Sequence, residues 1–496
     1  MKGEVNHLFC SELPTKPRPE KGKVLVTGAS GYIGGRLVPE LIARGYDIRV
    51  MVRASSPEYA QMWPGVEVVV ADIIYKSSLR RALKDVHTAY YLVHSLLLGK
   101  KKFESADIEA AINFREIADE CGVKRIIYLG GLGDFNSKLS PHLRSRKQVG
   151  RELMKSNAQT IMLRAAIIIG SGSASYEIIK HLIKNTFLLI IPPWARTRCQ
   201  PIAIRDVIKY LVGIMETEEV NAKYYDIGGA DVLTYEQMLK IQAELVGKRR
   251  LFIRFPFNIH RIYTYFVSLL TPVPAPITRS LLGGHKSEVI CRNHNIRDLI
   301  PFEPVSYKEA LLRALSREEQ DRVYTRWSDA YPPAHELSLK LNEINSEPDY
   351  TSVYSMLSDK PASSLFTTFC MVGGKDGWFH NNWLWRLRGV FDRLLLGVGM
   401  SRGRKSESRL QTNDVIGFWR VEDLIKDKKL LLRAEMKLPG KAWLEFEIDE
   451  SYLQNKLTVR AYYYTKSIWG KLYWYSFLPF HAVIFQNLIE QIDSRS

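Results

Sequence analysis

From Lys23 to Ala165, short apolar runs alternate with amphipathic stretches. The runs Val24–Thr27, Ile48–Arg53, Val66–Ala71, Thr88–Val93, Ile126–Leu129 and Thr160–Ala165 predict strands. Between them, Ile33–Arg44 and Phe103–Cys121 carry helical spacing. Strand and helix in alternation specify βαβ units, so the expected fold class is α/β, a Rossmann-like doubly wound parallel sheet. About residues 171–330 the regularity is lost, and the proline hinges IIPPW and TPVPAP predict a small, partly helical substrate lobe closing the domain 21–330. Residues 1–20 read as an N-terminal tail, and the polar, proline-bearing stretch 331–349 reads as a linker.

Beyond residue 350 the pattern changes. Leu430–Leu438 and Ala442–Asp449 alternate apolar and polar positions, and Pro439-Gly440 between them predicts a tight hairpin turn. Leu432, Ala434, Met436 and Leu438 would share one face of the first strand, with Arg433, Glu435 and Lys437 on the other. A third alternating run is Leu457–Tyr464, and Phe480–Ile492 closes the chain with a helical stripe of Ile484, Phe485, Leu488, Ile489 and Ile492. Residues 350–496 therefore predict a C-terminal α+β domain, an antiparallel sheet with a long terminal helix.

Composition narrows the function classes. The chain of 496 residues is 46% hydrophobic and 25% charged, which excludes a disordered, collagenous or coiled-coil protein. Seventy Lys and Arg against 53 Asp and Glu give +17, an excess that attracts anionic partners. No nucleic-acid motif accompanies it, so nucleic acid is not an expected partner. The greasy stretches Thr186–Trp194 and Tyr263–Leu270 are too short to span a bilayer. Peripheral membrane contact through Tyr263–Leu270 and the basic surface stands as a third reading of the chain. The five scattered cysteines form neither a disulfide framework nor a CxxC pair, and no secretory leader is visible, so a cytoplasmic setting is expected. Cys291-x2-His294 lacks a second ligand pair, and no metal is expected. Nothing in the pattern points to an oligomeric state.

The sharpest chemical signal is VLVTGASGYIGG at Val24–Gly35. A strand ends at Thr27, glycines follow at 28, 31 and 34, and a helix begins. Such glycines make the turn, let backbone approach a pyrophosphate and let helix and strand pack closely, while the helix N-terminus presents amides to phosphate. After the second strand stand Arg53, Ser55 and Ser56, with no acid in Val50–Ser56. An acid there would hold the ribose hydroxyls, whereas a cation accepts an extra phosphate, so NADP(H) is preferred and NAD(H) is the alternative. Asp72, closing the third strand, is placed either to reach the adenine or to cap the following helix.

The glycine spacing and the Asp72 position resemble the extended and atypical short-chain dehydrogenase/reductase superfamily, in particular its NmrA-like NAD(P)-binding branch. The likeness runs over roughly Lys21–Gln320 and includes LRAAIIIG at Leu163–Gly170, QPIAIRDV at Gln200–Val207 and YYDIGG at Tyr224–Gly229. It implies cofactor binding by Gly28, Ser30, Gly31, Tyr32, Ile33 and Gly34 in the loop. It further implies Arg53, Asp72, Ile73, His94, Ser95 and Arg146 around it, and it places QPI and the Asp206-Val207 pair in the segment that closes the substrate cleft. The superfamily's catalytic Ser and Tyr-x3-Lys are not matched. Leu129-Gly130-Gly131-Leu132 stands at the serine position, and His142-x3-Arg146 falls on the Tyr-x3-Lys slot, with Tyr128, Ser140 and Lys147 nearby. His142 could titrate near neutrality and is the candidate catalytic acid.

The last third holds Gly373–Trp378, Leu384–Gly389, Gly397–Lys405, Phe418–Glu422 and Leu472–Phe485, with tryptophan and arginine interleaved. These strings resemble the DUF2867 family, and through it the helix-grip (START-like, SRPBCC) ligand-binding fold. That resemblance implies an apolar cavity lined by Trp378, Trp385, Trp419, Trp443 and Trp474, with Arg388, Arg420, Arg433 or Glu435 orienting a polar head. The alternative is that the aromatics simply fill a core. The combined reading is an NADP(H)-binding oxidoreductase-like protein acting on a hydrophobic small molecule; the alternative is a non-catalytic NAD(P)H-sensing, ligand-binding regulator.

Overall fold

The computed structural model describes residues 8–53, 59, 62–93, 100–133, 140–257, 260–283, 288–292, 296–316, 341, 348–374, 377–400, 402, 404, 410–450 and 454–496. Contacts divide the chain into two units: Met1–Leu270 with Pro276–Ala334, and Thr271–Ala275 with His335–Ser496.

The first unit is built on seven strands: β1 Lys23–Thr27, β2 Ile48–Val52, β3 Glu67–Val70, β4 Val86–Tyr91, β5 Arg125–Gly131, β6 Gln159–Ala165 and β7 Tyr224–Ile227. They pair in the order β7-β6-β5-β4-β1-β2-β3, every pair parallel. The intervening helices are α1 Gly34–Ala43, α2 Lys76–Leu83, α3 Lys100–Glu120, α4 Pro141–Leu153, α5 Ala174–Asn185 and α6 Ile204–Glu216. Period-two alternation sends β1 side chains to both faces. Val24 and Val26 join a core with Leu37 and Leu41 of α1 and Val207 and Leu211 of α6. Leu25 joins a second core with Leu79, Phe114 and Val149. Burial on both faces explains why the inner strands read as continuous apolar runs, while the edge strand β3 has no buried residue.

One expectation is revised. Ile204–Ile227 does not belong to an appended lobe: β7 extends the main sheet beside β6, and α6 packs beneath it, receiving a hydrogen bond from Tyr90 Oη at Leu211 O (2.8 Å). Half-buried Arg44, just past α1, and buried Glu216 tie α1 to α6 (2.6 Å). The remaining lobe holds α5, α7 Tyr235–Leu245, α8 His260–Leu270 and α9 Tyr307–Leu315. A short parallel pair, Leu188–Ile191 with Leu251–Arg254, accompanies them.

The second unit is an antiparallel sheet of β8 Tyr350–Ser358, β9 Val415–Ile416, β10 Trp419–Ile425, β11 Lys429–Ala434, β12 Lys441–Asp449 and β13 Asn455–Tyr464. Its order is β8-β13-β12-β11-β10-β9. Helices α10 Ala362–Cys370, α11 Asn382–Leu394 and α12 Ile468–Arg495 complete it. The expected tight turn at Pro439-Gly440 is not formed. Arg433 opposite Trp443 is the last pair of that hairpin, so residues 435–440 make a wider connection. Beyond it Glu435 N–H bonds Phe418 O (2.8 Å), continuing the pairing with β10, and Lys437 N–H bonds Asp392 Oδ1 (2.6 Å). Nor are the faces of this strand split into apolar and polar, because Leu430, Leu431, Leu432 and Arg433 are all buried. The terminal helix is also longer than its stripe predicts, running 28 residues with Pro479 inside it.

Most of the expected linker 331–349 lies outside the described residues. At its edges Leu341 N–H bonds Glu422 Oε1 (2.7 Å), and Thr465 N–H bonds Asp349 Oδ2 (2.7 Å).

Candidate functional site: the glycine loop at the sheet's switch point

Strand order reverses at β1, which lies between β2 and β4, and in such sheets ligands bind at the carboxyl ends of the strands beside that point. Gly28 sits there, with φ +65°, in the left-handed region that glycine enters without strain. A Cβ on Gly28 would stand 3.0 Å from Leu92 O at the end of β4. Gly31 N–H bonds Gly28 O (3.0 Å), closing the turn. At Gly34 a Cβ would be 2.4 Å from Gly28 O and 2.7 Å from Ala29 Cα, backbone atoms that cannot step aside. No side chain caps α1, whose N-cap is Ile33, although Gly35 N–H bonds Gly31 O (3.0 Å) and Arg36 N–H bonds Ile33 O (3.1 Å). The loop thus meets the steric terms of a pyrophosphate cradle.

The rest of the loop is braced from behind. Tyr32 and Ile33 pack on the sheet core, and Ser30 is half-buried. Arg36, which carries no signal in the motif, lies 4.2 Å over the Tyr32 ring and donates to Tyr32 O (3.2 Å) and Ser171 O (2.9 Å). It fastens the loop to the segment after β6, a role that only the tertiary fold reveals.

Arg53 is exposed just past β2. Asp72 has its Oδ1 engaged by Ile74 N–H (3.0 Å), while its backbone exchanges hydrogen bonds with Ser78 Oγ. Its carboxylate therefore closes the turn that leads into α2. Ile73 is buried in the second core. His94 and Ser95 lie outside the described residues, as do Ser55, Ser56 and His294.

Around the expected catalytic slot, packing takes the place of chemistry. The methyl end of Met162 occupies the space of a Gly130 side chain (2.1 Å to an ideal Cβ), and its Sδ lies 2.7 Å from a Cβ on Gly150. Leu143 Cδ2 would meet a Cβ on Gly131 at 2.6 Å. Glycine at the serine position thus lets α4 close on β5 and β6. Ser140 caps α4 by accepting from Leu143 N–H (3.3 Å). Tyr128 is fully buried, its hydroxyl donating to Arg146 O (3.2 Å).

Arg146 points toward the mouth of the sheet, donating from Nη2 to Leu129 O at the end of β5 (2.8 Å). His142 departs from expectation. Burial and the neighbouring Arg146 charge push its imidazole down to about 3, so at neutral pH it is uncharged and has no imidazolium proton to give. A sequence shows which residue fills a slot but not the desolvation the fold imposes there.

The other matched strings prove to be joints. Arg164 pairs with buried Asp226 across β6 and β7 (2.5 Å). Gln200 bridges Gly229 O (2.8 Å) and Cys291 N–H (3.0 Å). Asp206 receives Val305 N–H (2.9 Å), and burial raises its carboxyl to about 6. Among the described residues no group of three metal-ligating side chains occurs.

The family model described as "NmrA-like family" matches residues 20–284, more than half of the sequence. The chain belongs to the NmrA-like family. A second model, "Protein of unknown function (DUF2867)", matches residues 344–488. Among relatives, the chain is 23% identical over 262 residues to the mitochondrial NADH dehydrogenase [ubiquinone] 1 alpha subcomplex subunit 9 of Arabidopsis thaliana, covering 51% of this chain and 65% of that protein. It is 22% identical over 259 residues to the chloroplastic divinyl chlorophyllide a 8-vinyl-reductase of Cucumis sativus, covering 49% and 61%. The match thus spans less than two thirds of either plant protein. A crystal structure of the Citrobacter sp. triphenylmethane reductase complexed with NADP(H) aligns with 59% of this chain and all of its own, at 20% identity and a TM-score of 0.48.

In the second unit the five tryptophans named above are all buried, and Trp378, Trp385, Trp419 and Trp474 pack against other rings. Trp378 and Trp385 are 4.5 Å apart at 29°, with Trp419 beside both. Trp474 stacks on Tyr463 (5.6 Å, 11°). Trp443 Nε1 donates to Glu422 Oε2 (3.0 Å). Next to them Glu435 accepts from Arg402 (2.6 Å) and Arg420 (2.5 Å), with Arg433 at 3.5 Å. Burial raises that carboxyl, but the arginines outweigh it and hold it at about 2. Arg388 instead donates to Lys437 O (2.9 Å). The aromatics and the ion cluster pack together in the interior of this unit, where the Nε1 groups of Trp378, Trp385 and Trp419 are buried without a hydrogen-bond partner among the described residues.

Proposed function

We propose that the first unit binds NADP(H) and is an oxidoreductase acting on a hydrophobic small molecule. The observation that carries this reading is the Gly28–Gly34 turn, set at the switch point with a helix start that no side chain caps. Gly28, Gly31 and Gly34 would hold the pyrophosphate, Arg53 would face the additional phosphate of NADP(H), and Arg146 would sit near the ribose. The bound nucleotide supplies a hydride. The chain's own residues bind, orient and exclude water. With His142 uncharged and glycines at the serine slot, the proton that accompanies the hydride would come from solvent. Membership in the NmrA-like family and the names of the plant relatives support the oxidoreductase class.

Calorimetry with NADPH, NADP and NADH tests the cofactor, and NADPH oxidation with aldehydes, ketones, quinones and activated alkenes tests turnover. Tighter NADPH than NADH binding, lost in Arg53→Glu, supports the reading; absence of any nucleotide binding by folded protein overturns it. The specific packing at Gly130 and Gly131 favours a second reading, a sensor of nucleotide redox state. NADPH binding with no turnover on any acceptor would select that one.

A further inference from the structure

The second unit turns one helix inside out. On α11, Asp392 and Arg393 are buried, whereas Trp383, Leu387, Val390, Phe391 and Leu394 are exposed. These positions are spaced i, i+4, i+7, i+8, i+11, one continuous apolar stripe facing outward. The first half of α12 behaves alike: Ile468 is 82% exposed, Trp469 73%, Tyr475 61% and Val483 62%. Tyr475–Phe480 are all at least partly open to solvent, from Tyr475 at 61% to Phe477 at 37%, so aromatic surface continues through more than a full turn. The loop 435–440 touches both helices: Lys437 O accepts from Arg388 of α11, and Pro439 O lies 2.7 Å from a Cβ on Gly470 of α12.

We propose that this face docks the protein on a phospholipid bilayer bearing anionic headgroups. A fluid hydrocarbon layer covers apolar side chains on two separate helices, α11 and the first half of α12, without needing a matching groove. Tryptophan and tyrosine at the margin suit the headgroup level. Charge agrees with the same partner. Lys437, Lys466, Lys471 and Arg386 are exposed around the patch, and no acid occurs from Lys466 to Ile489. Asp392 is buried, and Asp349 is engaged by Thr465 N–H. The apolar stretch Ile468–Val483 is about 24 Å long at 1.5 Å per residue, short of the roughly 30 Å hydrocarbon core. No helix among the described residues is long and apolar enough to cross a membrane. The helix therefore lies in one leaflet. The segment Tyr263–Leu270 turns Thr264, Val267 and Ser268 inward and leaves Phe266 exposed.

Flotation of the full chain with phosphatidylcholine vesicles, with and without phosphatidylglycerol, tests the proposal. The expected result is binding to the mixed vesicles, weakened by salt, and reduced by about tenfold or more in Trp469→Glu/Tyr475→Glu. An equally exposed control, Phe257→Glu, leaves binding unchanged. Circular dichroism melts check that these surface variants fold. Failure to bind either vesicle overturns the proposal, as does binding that the double variant retains. Light scattering that shows a dimer dissociated by the same variant would assign the face to a second copy and overturn it too.

Discussion

Gly34 and Gly28 touch so closely that the loop admits no side chain at position 34: an ideal Cβ there lies 2.4 Å from Gly28 O. Gly34→Ala must push helix α1 away from β1. We expect a loss of about 2 kcal/mol in stability, as for overpacked cores, and loss of nucleotide binding beyond what stability explains. Denaturant melts and calorimetry on the same preparation separate the two.

Restoring the family's serine should not restore its chemistry. Met162 threads between Gly130 and Gly150, so Gly130→Ser displaces a buried thioether. The expected outcome is about 1–3 kcal/mol of destabilisation and no gain in NADPH oxidation, read by thermal melts and initial rates.

The Glu435 cluster supports the second unit. Glu435→Gln leaves Arg402 and Arg420 buried without their counter-charge, which costs about 3–5 kcal/mol. Tryptophan fluorescence during urea unfolding would follow it, since Trp378, Trp385 and Trp419 form the adjoining ring cluster. An unchanged transition would contradict the network's importance.

Acid should loosen the same unit through His481, which packs on Trp474 (4.9 Å) and is pushed down to about 4 by burial. Between pH 6.5 and 4 the unfolded chain holds this proton and the folded one does not, so stability falls as pH drops, by up to about 1.4 kcal/mol per pH unit. Above pH 6.5 the imidazole is neutral in both states and contributes no slope. His481→Gln should flatten the dependence of melting temperature on pH within that window, measured without lipid.

What the residues alone disclosed follows from where burial is simple. Strands β1 to β6 are apolar runs bounded by turns, and each was legible; β4 and β5 only shifted by two residues or lengthened. Strand β7 was not, because four residues of YYDI say little, and α6 hides on nearly every side, so its spacing shows no solvent face. The hairpin at Pro439 is not formed where the sequence places it, because Asp392, distant in sequence, takes the Lys437 amide after the pairing with β12 has ended at Arg433. The glycine loop was visible as a motif, whereas Arg36 and the silencing of His142 arise from contacts that no local pattern encodes.

Proline 479 has a mechanical meaning within α12. Lacking an amide hydrogen, it cannot bond the carbonyl of Tyr475, and its ring crowds the preceding turn, so bending concentrates there. Beyond it Phe485, Leu488, Ile489 and Ile492 anchor the helix in the sheet's core. The rod is thus jointed between a stem seated in the core and an aromatic arm pinned to the sheet by Trp474 on Tyr463, and any change of slope falls at the proline between the two anchors.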